Sequence, residues 1–355
     1  MARARTREER SSCASVVERA AASTSTNREL AQVAARPGFD GASPRHHARS
    51  RRGASLISVA SLGEFDFPAF IRERASRRPG NVLGNDHGYA YVSDRNTRAT
   101  FQRLKPVELA VAAAVRTFKN VGKAELLGHA VKIGPRQFPR VHALAERCAE
   151  TLGIPVPTVY VVSNPHLNAA TYGTNEDAFI LVNSALMDHF SDAELLSVIG
   201  HECGHIHNNH VVYLTAMHYL TNVAGIVLRN LAVPALLSLR AWSRRAEVTC
   251  DRAGALCAGD LEPALRALTK LALGSQKLYE ELNIEAFLEQ HSEAKQSFGR
   301  FGEVFSSHPW LPKRVLALQA FAESELFRRH AGLGAGGLGM AEVDERVHDY
   351  IKVIG

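Results

Sequence analysis

The stretch SDAELLSVIGHECGHIHNNH, residues 191–210, decides the fold, and the other motifs are judged against it. Ser191, followed by a glutamate three residues later, is a capping-box signature, so a helix is expected to begin there. His201 and His205 are four residues apart and therefore share one face of that helix. Two imidazoles one turn apart can occupy two corners of a zinc tetrahedron, with the carboxylate of Glu202 within reach of a water held there. The stretch therefore predicts a zinc site.

A catalytic zinc needs a third protein ligand and one open position. The pattern HExxHxxGxxH would supply that ligand nearby, but Asn208 and Val211 stand where it requires glycine and histidine. His207 and His210 are out of that register, and we expect both to face solvent. The alternative for the whole motif is a helix with exposed histidines and no metal. Composition alone gives a chance HExxH match a probability of roughly 0.04.

The segment SRRAEVTCDRAG, residues 243–254, offers the third ligand. Glu247 and Asp251 are four residues apart and share a helical face. One carboxylate can bind zinc while the other accepts the free N–H of a ligating histidine and fixes its tautomer. The alternative is a solvated helix face whose charges pair at i,i+4 spacing. The HExxH helix upstream favours the metal interpretation.

With SSHPWLPKR at residues 306–314, these motifs resemble the HtpX-like and CAAX-prenyl-protease family of zinc metallopeptidases, family forty-eight of the metallopeptidases. That family shows HExxH, then S-R-x-x-E-x-x-A-D, then T/S-H-P-x-x-x-x-R. The upstream stretch LNAATYGTNEDAFILVNSALMDHFSDAEL is similar to its edge-strand region, so the resemblance runs from about residue 124 to 321. Cys250 replaces the family's alanine before the aspartate, a change expected to be harmless. Membrane helices of the prenyl-protease and HtpX branches are absent, so the chain resembles a soluble, reduced form of the family.

The resemblance implies the chemistry of the site. His201, His205 and Glu247 are implied as ligands of one zinc ion per chain, and Glu202 as the general base. His308 lies at the position that steadies the oxyanion or the substrate. The expected function is a zinc-dependent metalloendopeptidase acting on protein or peptide substrates.

Two further residues are implied to support that site. Asp251 is the partner of a ligating histidine, and Arg314, the closing arginine of the last motif, has a structural role. The alternative function is a catalytically silent, zinc-bearing interaction or holdase protein, which loss of Glu202 or Glu247 would have favoured.

The expected fold class is α+β, a mostly helical gluzincin metallopeptidase domain with a small antiparallel sheet beside the HExxH helix. Thr158–Val162 and Ala178–Asn183 are β-branched and aromatic, which predicts two strands, joined as a hairpin or lying side by side in a sheet. The second strand, or the loop before it, is expected to pair with an extended substrate. Further helices are expected over residues 106–120, 138–152, 263–273, 313–329 and 341–354.

Charge and composition divide the chain into four segments. The first 52 residues hold 11 arginines and 5 acidic residues, whereas the rest of the chain is balanced. We therefore expect a disordered basic arm over 1–55, a poorly defined lead-in over 56–105, the metallopeptidase domain over 106–330, and a glycine-rich linker with a terminal helix over 331–355. A nucleic-acid-binding domain would carry its own basic surface, so no nucleic-acid partner is expected. A basic arm that touches a membrane or an RNA is the alternative.

No uninterrupted apolar run reaches the roughly 18 residues that span a bilayer. Residues 223–239 come nearest but contain Arg229, Asn230 and Pro234, which predicts a buried or amphipathic helix pair. Peripheral membrane contact through residues 211–240 is the alternative. Five cysteines without a C-x-x-C pair favour core thiols, a reducing compartment and a cytoplasmic location, with membrane association as the alternative. The specific substrate and the oligomeric state are not readable from the sequence.

Overall fold

The computed structural model describes residues 88–101, 111, 128–174, 177–218, 221, 233–295 and 308–352. The basic arm and nearly all of the helix expected over 106–120 lie outside these ranges. The helices and strands, in chain order, are α1 (Val92–Phe101), β1 (Ala130–Lys132), α2 (Pro139–Leu152), β2 (Thr158–Val162), β3 (Ala169–Gly173), β4 (Ala178–Asn183), α3 (Ser184–His189), α4 (Asp192–His207), α5 (Val211–His218), α6 (Val233–Ala258), α7 (Leu261–Leu273), α8 (Gln276–Glu280), α9 (Ile284–Lys295), α10 (Leu311–Ala322), α11 (Glu325–His330) and α12 (Met340–Ile351).

The four strands form one sheet in the order β1-β2-β4-β3, beside a mostly helical body, which confirms the α+β class. The two strands predicted from sequence are neighbours, but they run parallel. The expectation of an antiparallel sheet is therefore corrected to a mixed sheet in which β1 and β3 are the antiparallel members. The physical reason is that the segment between the two predicted strands forms β3. The chain turns back from β3 into β4, so β4 runs in the direction of β2.

Helix α4 is the centre of the fold, and it packs against α2, α6 and α7. It begins where the sequence predicts: the hydroxyl of Ser191 accepts from the backbone N–H of Glu194, and the Glu194 carboxylate accepts from the backbone N–H of Ser191 at 2.7 Å. Glu194 is itself buried and lies 2.8 Å from Nζ of Lys270 on α7. The cap therefore fixes both the start of α4 and its contact with α7.

The C-terminal part of the chain packs back onto α6. The single helix expected over 313–329 is two helices, because the first ends at Ala322 and the hydroxyl of Ser324 caps the second. Helix α12 lies on α10 with Val343 and Val347 fully buried. Asp344 of α12 lies 2.8 Å from Nη2 of Arg252 on α6 and accepts a hydrogen bond from a backbone N–H of α1. One carboxylate thus joins α1, α6 and α12.

Within the described ranges, none of the helices has the length and apolar character needed to cross a bilayer. Helix α5, which lies in the segment considered for peripheral membrane contact, has five of its eight residues buried in the protein. The four cysteines in the described part of the chain are buried free thiols, as expected for core residues.

Candidate metal centre

Two imidazoles and one carboxylate meet between α4 and α6. Nε2 of His201 lies 3.6 Å from Oε2 of Glu247, and Nε2 of His205 lies 3.7 Å from Oε1 of the same carboxylate. Glu247 is buried, with 4 % of its side chain exposed. The HExxH spacing places both rings on one face of α4, and Glu247 faces them from α6. Residues within each motif share a helical face, as their spacing predicted, and the two helices bring the two motifs together.

These separations are too long for good hydrogen bonds but close to those between ligands of one metal ion. Zinc–nitrogen and zinc–oxygen bonds of 2.0–2.2 Å place two corners of a tetrahedron about 3.4 Å apart. Both Nε2 atoms face the carboxylate, and both Nδ1 atoms are engaged on the opposite side of their rings. The donor set fits a divalent metal that prefers nitrogen and oxygen ligands.

Cys250 forms a second candidate trio, because its sulfur and ring nitrogens of His201 and His205 lie within 4.8 Å of one another. The thiol is on the far side of His205, however, with Sγ 3.6 Å from Nδ1 of His210. Glu247, in contrast, faces the Nε2 atoms of both α4 histidines. We therefore favour the carboxylate as the third donor.

Asp251 and Arg314 support His201 from behind. Oδ1 of Asp251 lies 3.1 Å from Nδ1 of His201. Arg314 donates to both oxygens of Asp251 and also lies 3.2 Å from Oε2 of Glu247. Burial alone would raise the pKa of Asp251, but the charge and hydrogen bonds of Arg314 lower it to about 2. An ionised Asp251 accepts the Nδ1 proton of His201, which leaves Nε2 of His201 as a lone-pair donor.

Glu202 lies beside the candidate metal ligands, with only 7 % of its surface exposed. Its Oε2 accepts a hydrogen bond of 2.6 Å from the hydroxyl of Thr171 on β3. Burial raises the pKa of Glu202 above its ordinary value, although the charge of His201 and the Thr171 hydroxyl oppose the shift. A buried carboxylate with a raised pKa next to a candidate metal site has the character of a general base.

His308 lies at the open side of the centre. Its side chain is 59 % exposed, and Nε2 lies 3.6 Å from Oε1 of Glu247. The centre opens into a cleft of about 160 Å³ whose walls combine the site residues with aliphatic groups of α7 and α10. The aliphatic lining residues are Leu167, Ala169, Val198, Ala264, Ala267, Leu268, Leu271 and Leu318.

The structure brings all seven sequence-derived site residues into one place, but it corrects the expectation that His207 and His210 face solvent. Both are buried, with 1 % and 0 % of their surface exposed. His207, in the last turn of α4, is covered by Tyr89, whose hydroxyl lies 2.7 Å from its Nδ1. His210 is buried because of the turn after α4: Asn209 adopts φ 57°, and the backbone N–H of His210 returns to the carbonyl of His205 at 2.9 Å. The His210 ring is thereby folded under His205.

Two contacts of the site carry no sequence-based prediction: Thr171 with Glu202, and Asp94 with His210. The sequence feature that could have identified Thr171 is its position in the stretch that resembles the family's edge strand. Asp94 had no local signal, because it lies on α1 more than a hundred residues before its partner. His210 lies within residues 191–210. Because it is out of register with the pattern HExxHxxGxxH, it was wrongly expected to face solvent.

The sequence matches the family model described as Peptidase family M48 over residues 135–322, just over half of the chain. The plastoglobule-localized metallopeptidase 48, chloroplastic, of Arabidopsis thaliana is 37 % identical over 170 residues, 47 % of this chain and 49 % of that protein. The protease HtpX homolog of Moorella thermoacetica is 28 % identical over 233 residues, 56 % of this chain and 78 % of that protein. The protease HtpX homolog 1 of Streptomyces coelicolor is 28 % identical over 213 residues, with shares of 50 % and 69 %.

The chain thus spans about half the length of the Arabidopsis relative and more than two thirds of the two bacterial ones. The family match contains all seven site residues, whereas Asp94 precedes it. This match, and the relatives named for their protease or metallopeptidase activity, agree with the resemblance seen in the motifs. The chain belongs to peptidase family M48, the HtpX-like metallopeptidases.

Proposed function

We propose that this chain is a zinc-dependent metalloendopeptidase in which His201, His205 and Glu247 hold one zinc ion and Glu202 is the general base. The observation that carries the proposal is the convergence of two Nε2 atoms on one buried carboxylate at 3.6 and 3.7 Å. A carboxylate base lies directly beside them, in a cleft open to substrate.

The residues of the site divide the hydrolysis between them. A bound zinc supplies a Lewis acid for the scissile carbonyl and a water whose pKa is lowered to about 7. Glu202 accepts the proton of the attacking water and passes it to the leaving amine. Thr171 holds one oxygen of Glu202 and so orients the other toward the cleft. His308, exposed at the mouth of the site, donates a hydrogen bond to the oxyanion that develops on the former carbonyl oxygen.

We further propose that the sheet holds a peptide substrate by strand addition. Strand β4 already has β2 and β3 on its two sides, so it has no free edge for a peptide. Strand β3 is at the edge of the sheet, and its Ala169 end lines the cleft. Of the two segments considered from sequence, the one before β4 is therefore favoured for strand addition. Backbone pairing of this kind places an extended peptide across Glu202 with little demand on its side chains.

The proposal is tested by zinc analysis and casein hydrolysis on wild type, Glu202→Gln and Glu247→Gln. Wild type and Glu202→Gln should each contain one zinc per chain, whereas Glu247→Gln should lose it. Glu202→Gln should cleave casein about 10²–10⁴-fold more slowly than wild type, and Glu247→Gln should show no cleavage. Glu262→Gln, which removes an exposed carboxylate on α7, is the matched control and should retain both zinc and cleavage.

Two outcomes would contradict the proposal. Wild type without zinc would reject the metal site, and cleavage retained by Glu202→Gln would reject the base. Zinc in wild type without hydrolysis of casein or of a mixed peptide library would favour a zinc-bearing holdase.

A cytoplasmic location and the four-segment division of the chain stay predictions.

A further inference from the structure

A second carboxylate lies behind the metal centre, on α1. Nδ1 of His205 lies 3.2 Å from Nδ1 of His210, and Nε2 of His210 lies 3.1 Å from Oδ2 of Asp94. His210 and Asp94 are 0 % and 1 % exposed, so water does not compete for these contacts. The three side chains form a line that starts at Nε2 of His205 and ends inside the protein on α1.

We propose that Asp94 and His210 are positioning residues that hold His205 as the tautomer with its proton on Nδ1, so that Nε2 is free to bind zinc. The inference rests on the proposed function only in naming zinc as the partner of Nε2. It adds α1, which precedes the matched family range, to the parts of the chain that build the site.

The groups around Asp94 determine which atoms donate and which accept the hydrogen bonds along this line. Trp242 donates its indole N–H to Oδ1 at 2.7 Å, and Thr249 donates its hydroxyl to Oδ2 at 2.7 Å. Burial alone would raise the pKa of Asp94, but the polar contact with His210, the charge of Arg98 and the hydrogen bond from Thr249 lower it, so the group is a carboxylate and only accepts hydrogen bonds. The nitrogen of His210 that faces it must therefore carry a proton.

A neutral His210 with its proton on Nε2 has a lone pair on Nδ1. That lone pair can accept the Nδ1 proton of His205, and His205 then presents its own lone pair at Nε2 toward Glu247. The N–H of His210 does not point straight at Asp94, so this contact is bent, but no other tautomer places a donor against the carboxylate. The reverse arrangement would put the proton of His205 on Nε2, where it would block a metal.

The surroundings keep His210 in this orientation. Its ring makes an edge-on contact with Trp242, with ring centroids 5.2 Å apart and planes at 85°. The thiol of Cys250, 3.6 Å from Nδ1, is a weak donor that can share the same lone pair. The two α4 histidines thus both have a carboxylate behind them: His201 is bonded to Asp251 directly, and His205 reaches Asp94 through His210.

Asp94→Asn is the informative variant because it should reverse the donors and acceptors of the hydrogen bonds along this line. Trp242 can only donate, whereas the hydroxyl of Thr249 can turn and accept, so the amide oxygen stays at the Oδ1 position and the amide NH₂ takes the place of Oδ2. That NH₂ faces Nε2 of His210 and moves its proton to Nδ1, which pushes the proton of His205 to Nε2. An Asp→Asn change that leaves geometry intact but selects the wrong histidine tautomer is strongly damaging in other enzymes.

The experiment reads the tautomer directly in the metal-free 355-residue chain. Long-range ¹H–¹⁵N correlation spectra of ¹⁵N-histidine protein, with the His205 signals identified by their loss in His205→Gln, report which nitrogen carries the proton. Zinc affinity is measured separately by competition with a chromophoric chelator. We expect the proton on Nδ1 in wild type and on Nε2 in Asp94→Asn, with zinc bound about 10–100-fold more weakly by the variant.

Asp349→Asn is the matched control, since it makes the same change at an exposed carboxylate of α12 that pairs with Lys352, away from His210 and His205. It should keep the wild-type tautomer and zinc affinity. His210→Leu and His210→Asn guard against loss of folding in Asp94→Asn: leucine removes the acceptor for His205, whereas the amide oxygen of asparagine can replace it. We expect weaker zinc binding in His210→Leu and substantial rescue in His210→Asn.

An Nδ1 proton on His205 in folded Asp94→Asn, or equal zinc affinity in His210→Leu and His210→Asn, would overturn the inference. Failure of the proposed function would look different: wild type would bind no zinc, while the spectra would still show whether Asp94 and His210 fix the tautomer.

Discussion

Arg314 and Asp251 form a two-point ion pair directly behind the metal centre. Nε of Arg314 donates to Oδ2 of Asp251 at 2.8 Å, and Nη2 donates to Oδ1 at 2.6 Å. Only 14 % of the arginine side chain and 8 % of the aspartate side chain are exposed. The pair ties α10 to α6, and Arg314 also offsets the charge of Glu247. The motif residue predicted to be structural therefore contacts two carboxylates of the site.

Replacement of Arg314 should destabilise the protein strongly. Arg314→Ala leaves two buried carboxylates without their cation, and such a loss costs about 3–5 kcal/mol of unfolding free energy. Arg314→Lys keeps the charge but loses the planar two-point geometry, so we expect an intermediate loss. Urea denaturation of metal-free protein measures both. Arg346→Ala, which breaks exposed pairs with Glu323 and Glu342, should cost at most about 1 kcal/mol. Equal losses in the Arg314 and Arg346 variants would contradict this assignment.

The pKa of Asp251 predicts a pH dependence of stability. A folded-state pKa of about 2 lies below the ordinary 3.8, so the pairing stabilises the folded state above about pH 4 and is lost as the pH falls through about 2. The shift corresponds to roughly 2 kcal/mol at pH 7, of which about half remains at pH 3. The difference in unfolding free energy between wild type and Asp251→Asn should therefore shrink between pH 7 and pH 3. A difference that stays constant would assign the destabilisation to packing instead of charge.

Local sequence was enough to predict the helix that carries the metal motif. The capping box at Ser191 and the 3.6-residue period of apolar side chains both act over a few residues. Helix α4 begins at the capping box and buries the apolar face that the period predicts. Strand β3 was not predictable in the same way. Its sequence AATYG contains alanine and glycine, which have little preference for strands, so its pairing with β4 is decided by tertiary contacts.

The candidate site shows the same division between local and distant information. Residues within motifs came together as their spacing indicated, because each pair shares a helical turn. The contact of Asp94 with His210 joins α1 to the segment after α4 and leaves no trace in local spacing. The burial of His210 depends on the left-handed turn at Asn209, a conformation that asparagine tolerates better than most residues. The Asn-Asn pair was the available signal.

The hydroxyl of Thr171 should set the proton affinity of Glu202. It stabilises the ionised carboxylate, so its removal in Thr171→Val raises the pKa of Glu202. The base is active when ionised, and the acidic limb of the kcat/KM profile should therefore move to higher pH. Hydrolysis of a fluorogenic peptide between pH 5 and pH 9 measures the shift. Thr171→Ser keeps the hydroxyl and should keep the wild-type profile.

An unchanged acidic limb in Thr171→Val would assign that limb to another group. A uniform loss of activity at all pH values in both variants would indicate that Thr171 matters for the position of β3 and not for the base.

Helices α4 and α6 approach each other through small residues, and this contact sets the distance from the two histidines to Glu247. A Cβ atom added at Gly254 would lie 2.6 Å from the backbone oxygen of Ser197, and one added at Gly204 would lie 2.8 Å from Cβ of Ala253. Both separations are shorter than van der Waals contact. A backbone oxygen and an alanine Cβ are both fixed by the backbone, so neither contact is relieved by a side-chain rotation, and Gly254, with the shorter separation, is the stricter position.

Gly254→Ala should therefore push α6 away from α4 and weaken the metal site together with the fold. Overpacking of this kind costs about 1–3 kcal/mol of unfolding free energy. Because the ligands lie on the two displaced helices, zinc affinity should fall as well, although no ligand is altered. Gly339→Ala is the matched control, since a Cβ there meets no atom within 4 Å and its φ is −64°. Denaturation and chelator competition on both variants test the argument. Wild-type zinc affinity in a destabilised Gly254→Ala would show that the helix spacing and the metal geometry are independent.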